Sequence, residues 1–305
     1  MQATKRITIG VTVFLAVFIS IFPIRADLQV RKPDLSLQDP VGKGSLSRMG
    51  KVDEFGLELS QITYKEPGLM SEKGTMLGFS FSTASYGSSM LKAESRFSSG
   101  SVNYEGSYVD GTPLSMNNIP DFGYELRFLG GKRISASNEP SPCVQGLGEL
   151  SYSKPGESAV YLYTGFGYRY LNDNSSAFAG GYEREANYFY SPIGIEIIPA
   201  PVAGDNWSRG ATLEYDIFWS GKQISRLSDA DPGYNDMVNV QNQGYGYRLA
   251  VKFQNPKTVI APFIRYWNIK KSEDTDVYYY GTYVGYGYEP ENNSTEIGVK
   301  IGVRF

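Results

Sequence analysis

The chain has 305 residues, a net charge of −3 and a pI near 5.3, so no basic excess calls for nucleic acid or an anionic membrane face. Its 24 Tyr, 16 Phe and 34 Gly favour strands and tight turns over helices. The one cysteine, Cys143, excludes an internal disulfide, and the lack of any histidine removes the usual proton acceptor near neutral pH and the commonest metal ligand.

Residues 1–26 read as an export signal. Lys5 and Arg6 supply the positive start, Ile7 to Phe22 the apolar stretch, and Ile24, Arg25 and Ala26 an imperfect small-residue cleavage site. A membrane anchor is the competing reading. The apolar stretch falls just short of a comfortable span, and the early basic pair favours the signal peptide. Residues 27–52 are polar, carry Pro33 and Pro40 and have no periodicity, which predicts an N-terminal tail.

From Asp53 to Phe305 the pattern becomes alternation with period two, as in strands with one apolar face. In 122–128, Phe122, Tyr124, Leu126 and Phe128 oppose Gly123, Glu125 and Arg127. In 210–219, Ala211, Leu213, Tyr215, Ile217 and Trp219 oppose Thr212, Glu214 and Asp216. In 244–253, Tyr245, Tyr247, Leu249, Val251 and Phe253 oppose Arg248, Ala250 and Lys252. The last segment, 294–305, puts Thr295, Ile297, Val299, Ile301, Val303 and Phe305 on one face.

Twelve strands are predicted, near 53–64, 74–83, 89–98, 101–110, 119–130, 145–153, 158–170, 186–198, 208–220, 243–254, 258–270 and 294–305. Ten is the alternative, because 89–110 and 145–153 are weakly patterned. Short connections at 154–157, 199–205 and 255–257 alternate with long polar ones at 131–144, 171–185, 221–242 and 271–293. A soluble sandwich also alternates. The aromatics near strand ends, such as Tyr215 with Trp219, and the charges on the opposite face favour a barrel in lipid.

The ending EIGVKIGVRF (296–305) resembles the C-terminal insertion signal of Gram-negative outer-membrane β-barrels, a terminal Phe305 preceded by alternating apolar residues that include Ile301 and Val303. YLYTGFGYRYLND (161–173) and APFIRYWNI (261–269) resemble strands of porin-like outer-membrane families of otherwise unassigned function. The resemblance covers about residues 53–305. It implies an all-β antiparallel transmembrane barrel in the cell outer membrane, surrounded by its lipid and inserted by the barrel-assembly machinery. The short turns and the 27–52 tail would then lie in the periplasm and the long loops outside the cell.

Enzymes that resemble such barrels, the outer-membrane phospholipase, lipid A deacylase and omptin protease families, use a histidine, so no catalytic residue is assigned here. No cofactor or metal is expected either. Glu273, Asp274 and Asp276 in one loop, and Asp229 and Asp231 in another, match no calcium-loop spacing and read as solvated acids. Cys143 reads as an inert loop residue. GFGYR (165–169) and GYGYR (244–248) lack the helix a nucleotide site needs, so their glycines are expected to let aromatics pack over the strand.

Barrels of about eight strands fill with side chains and those of about sixteen hold water, with twelve between them. The expectation is a modest pore for passive diffusion of small hydrophilic solutes. Its lining would be Glu125, Arg127, Arg169, Glu214, Asp216, Arg248 and Arg265. In the competing reading these residues pair and block the barrel. That leaves a non-conducting surface protein with a structural, adhesive or lipid-contacting role carried by its extracellular loops, of which 277–289 is dense in tyrosine.

Overall fold

The structure is a computed structural model that describes residues 50–107, 111–134, 158–199 and 207–305. The expected signal peptide, nearly all of the tail, Cys143 and the expected strand 145–153 lie outside the described residues. The alternating segments form strands β1 (Lys51–Glu66), β2 (Met70–Tyr86), β3 (Ser89–Ser107), β4 (Pro113–Arg133), β5 (Ala159–Asn174), β6 (Glu183–Ile198) and β7 (Ser208–Ser225). A single helical turn, α1 (Leu227–Ala230), precedes β8 (Met237–Gln241), β9 (Gly244–Gln254) and β10 (Thr258–Ile269). The chain finishes with β11 (Thr275–Tyr279), β12 (Thr282–Gly287) and β13 (Asn292–Arg304).

Ten of these strands close into one antiparallel barrel in the order β1-β2-β3-β4-β5-β6-β7-β9-β10-β13, with β13 returning to β1. The closing ladder runs from Glu54 opposite Arg304 to Lys65 opposite Asn293. Phe305 extends it, exchanging backbone hydrogen bonds with Asp53 at 3.0 and 3.1 Å. Within β13 the side chains of Ile301 and Val303 point outward and are exposed. Closure leaves the ring no free edge. Strand β8 stands outside it, pairing with the end of β7 from Gly221 to Ser225, and β11–β12 is a separate hairpin.

The expected twelve strands become ten in the ring, and the physical reason is visible in β3. Residues 89–98 and 101–110 are expected to be two strands separated by Ser99 and Gly100, but β3 runs unbroken from Ser89 to Ser107, paired with β2 from Met90 to Glu105. Strand β4 therefore runs toward the end that holds the termini, and its last residue, Arg133, lies opposite Tyr161 of β5. The 131–144 connection, expected on the far side, leaves β4 at the terminal end instead. Every strand from β5 onward keeps the direction expected of it.

Most apolar residues of the strands face out. Leu57, Leu59, Leu77, Phe128, Ile193, Leu213, Leu249, Ile297 and Ile301 are all exposed, while the even-numbered residues of β1, β2, β3 and β13 turn inward. An apolar outside around a polar inside is the arrangement of a barrel in lipid. At the edge of this belt away from the termini, aromatic rings touch from strand to strand. Phe97 meets Phe122 at 6.2 Å, Tyr124 meets Tyr168 at 5.8 Å, Phe166 meets Trp219 at 5.6 Å, and Tyr247 meets Tyr266 at 6.4 Å. Rings of this kind place an apolar body in lipid and a polar tip in water.

Beyond the belt the strands continue with polar outward residues such as Thr63, Lys65, Lys73 and Asn103. The long connections here are folded. The 271–293 stretch forms the β11–β12 hairpin, which turns at Tyr280 and Gly281 with φ of 46° and 78°. Positive φ at both central residues is the two-residue turn whose twist matches a hairpin. A bridge from Tyr234 to Tyr279 and bonds from Asn239 to Glu273 and Thr275 tie this hairpin to the 226–241 segment, making a ledge above the barrel.

Candidate functional site: the barrel interior

Alternation turns the polar half of each strand into the lumen, and the side chains there reach across it. Arg248 on β9 meets Glu125 on β4 through two bonds of 2.8 and 2.5 Å, and its Nε lies 2.7 Å from Asp216 and 3.1 Å from Glu214, both on β7. Two parallel bonds from guanidinium to carboxylate are among the strongest polar contacts available. Arg127 on β4 bridges Glu214 and Glu94, the latter at 2.9 Å. Arg96 on β3 and Arg265 on β10 both pair with Glu58 of β1, at 2.7 and 3.1 Å, and with Glu296 of β13. Strands that are not neighbours in the ring are thus joined through its middle.

Two tyrosines complete this layer. The Tyr163 hydroxyl donates to Glu214 at 2.6 Å and the Tyr190 hydroxyl to Glu125 at 2.6 Å. Each ring lies over a glycine of the adjacent strand. A Cβ at Gly167 would stand 2.1 Å from the Tyr190 ring, and one at Gly194 would stand 2.5 Å from that of Tyr163. The second glycine of GFGYR, Gly167, therefore makes room for the ring that holds Glu125. In GYGYR, Gly246 faces Trp267 in the same way, its built Cβ 3.0 Å from the indole.

Toward the termini, Lys92 and Lys252 share Glu196 at 3.3 and 2.5 Å, and Lys300 pairs with Glu54. An apolar cluster of Tyr86, Met90, Leu129 and Tyr161 packs on one side of this end. Toward the opposite end, Tyr188, Tyr190, Phe218, Trp267 and Ile269 form a second cluster. Beyond it Arg184 spans from β6 to Glu66 of β1 at 2.7 Å and to Glu289, which precedes β13. Three further acids share this region. Asp121 and Asp173 sit opposite each other on β4 and β5, and Glu72 hydrogen-bonds Asp173. Among the described residues none of the three has a cation within ion-pair distance. Burial holds the Glu289 carboxyl above its ordinary range, Arg184 pulls it back, and Glu66 opposes that pull.

The seven residues named from sequence therefore all sit in the interior, and six of them enter the ion-pair network. Arg169 does not. Its guanidinium lies over Trp267, 5.4 Å from the ring centre. Sequence reasoning missed Glu58, although Leu57 and Leu59 on either side of it point outward and so mark it as inward. Nor did it single out Tyr163 and Tyr190, whose hydroxyls bond Glu214 and Glu125. Among the described residues no group of His, Cys, Asp or Glu is arranged to hold a metal.

The fold and its interior define a closed antiparallel barrel with an apolar outside and an ion-paired lumen. No family model matches the chain, and no curated protein matches it. Among solved structures it resembles the outer membrane protease OmpT from Escherichia coli, with 10% identity over 84% of this chain and 97% of that one and a TM-score of 0.50. It matches more loosely the translocator domain of the autotransporter NalP from Neisseria meningitidis, at 11% identity, 84% and 89% coverage and a TM-score of 0.34. The toluene transporter TodX of Pseudomonas putida gives 11% identity, 85% and 90% coverage and a TM-score of 0.31. These neighbours are Gram-negative outer-membrane β-barrels. At such identities the likeness to OmpT is one of fold alone.

Proposed function

We propose that this chain is an outer-membrane barrel, exported with loss of residues 1–26, whose lumen is closed to ions and whose work lies in the tyrosine-rich ledge. The observation that carries the reading is the set of ion pairs between strands that are not neighbours. Arg127 to Glu214, Arg248 to Glu125 and Arg184 to Glu66 each cross the lumen rather than lie along its wall. A ring of ten strands is also narrower than one of twelve and easier for side chains to fill. The ledge presents Tyr280, Tyr283 and Tyr286, each more than half exposed, as rigid contact area for adhesion or lipid contact. The outward apolar belt supports the membrane setting. Catalysis is no part of this reading, since the sequence holds no histidine.

A passive pore for small hydrophilic solutes is the second reading. It is favoured by a chamber inside the terminal end and requires the ion-paired layer to part. Single-channel recording of the refolded protein in a planar bilayer separates the two. The closed lumen predicts no discrete steps from protein shown to be folded. Reproducible steps that shift on substitution of Arg127 or Arg265 would establish the pore and end the closed reading.

A further inference from the structure

The interior is not filled everywhere. Inside the terminal end lies a chamber of about 120 Å³, bounded by β1–β5, β7, β9, β10 and β13 together with Ile198 of β6. By liquid volume that is on the order of four water molecules, which also suits a phosphate-sized ion and is far too small for an acyl chain. Its wall carries seven cationic and four acidic side chains among the described residues.

The acids of the wall are already taken. Glu54 is paired with Lys300, Glu58 with Arg96 and Arg265, Glu94 with Lys92 and Arg127, and Glu214 with Arg127 and Arg248. The carboxylates that complete Lys252, Arg248 and Arg265, namely Glu196, Glu125, Asp216 and Glu296, are not part of the wall. The surface the chamber presents is therefore more positive than negative. Four buried atoms of the same wall have no hydrogen-bond partner among the described residues: Nε of Arg127, the hydroxyl of Thr212, Nε of Arg304, which stands 3.9 Å from Glu54, and Oε1 of Glu214, which Arg248 already faces at 3.1 Å. A buried donor without an acceptor costs about 1–3 kcal/mol, more when charged. Two cationic donors and a hydroxyl around a small positive space make a setting for an oxygen-bearing anion.

We infer that the terminal-end chamber is a binding site for a small free oxyanion of phosphate type, held by Arg127, Arg304 and Thr212. The inference rests on the closed arrangement of the proposed function, because Arg127, Glu214, Arg248 and Arg265 of the ion-paired layer form part of the chamber wall.

The test is calorimetric titration of the refolded full-length barrel in zwitterionic detergent with inorganic phosphate, against chloride at matched ionic strength. Saturable binding of phosphate that chloride does not reproduce is expected. Thr212→Val should weaken it about fivefold, the value of one hydrogen bond, without loss of folding because that hydroxyl has no partner among the described residues. Arg304→Gln should weaken it by at least as much. Absence of saturable phosphate binding to folded protein, or binding unchanged in folded Thr212→Val, would overturn the assignment.

Discussion

The middle of the lumen and its end away from the termini bury acids in opposite ways. In the middle, Arg96, Arg127, Arg248 and Arg265 each meet two or three carboxylates, and each of those carboxylates meets at least one of these arginines, so charge is balanced in place. At the far end, among the described residues, Arg184 is the cation that pairs with Glu66 and Glu289, while Asp121 faces Asp173 and Glu72 hydrogen-bonds Asp173. Two carboxyl groups in a hydrogen bond need a proton between them. The balanced layer is a brace in which each charge meets its counter-charge, whereas the acidic layer gathers like charges around Arg184. Balance rather than burial separates them.

The largest expected effect comes from breaking the brace. Arg248→Gln strands Glu125 and Asp216 in the interior and should cost about 3–5 kcal/mol of unfolding free energy, measured by urea denaturation of the refolded barrel. A loss under about 1 kcal/mol would mean that the layer is more hydrated than its burial implies. Arg184→Gln should cost less, about 2 kcal/mol at neutral pH, because Glu289, already raised by burial, can take up a proton when its partner is gone. An Arg184 loss equal to that of Arg248, or one that does not shrink at acid pH, would erase the contrast between the layers.

Glu72→Gln goes the other way. Removing one of several acids that face no cation should stabilise by about 0.5–1 kcal/mol at neutral pH, the scale of a relieved like-charge pair. The smallest effect is expected at Glu289. A carboxyl raised by burial binds its proton more tightly in the folded state, so its contribution is present below the unfolded value and is lost as pH rises through the folded one. Glu289→Gln should therefore leave stability in acid nearly unchanged and flatten the decline toward neutral pH, read from denaturation midpoints across that range.

The barrel class and the inward face of most strands were legible because a lipid-facing belt forces strict alternation, as in 122–128 and 294–305. The strand count was not, because β3 continues past that belt. Its outward residues there, Ser99, Ser101 and Asn103, face water instead of lipid, so the contrast with inward Ser98 and Gly100 disappears and the middle of the strand reads as a turn. The same loss hid the outer half of β7 and the hairpin in 271–293. Candidate interior residues could be read from their place opposite apolar neighbours. Their partners could not, since Arg96 and Glu296 stand 200 positions apart and meet only when the ring is closed.

That closure has a consequence for how the molecule comes into being. The first strand and the last are each other's neighbours, joined over twelve residue pairs, so the ring acquires its final contact only when both ends of the barrel are available. A chain cut before Asn292 would not make a smaller barrel. It would leave β1 and β10 with bare edges and Arg96 and Arg265 short of Glu296, a species disposed to pair with other chains. The strand made last therefore also closes the ring, and the strands before it wait, incomplete, for those thirteen residues.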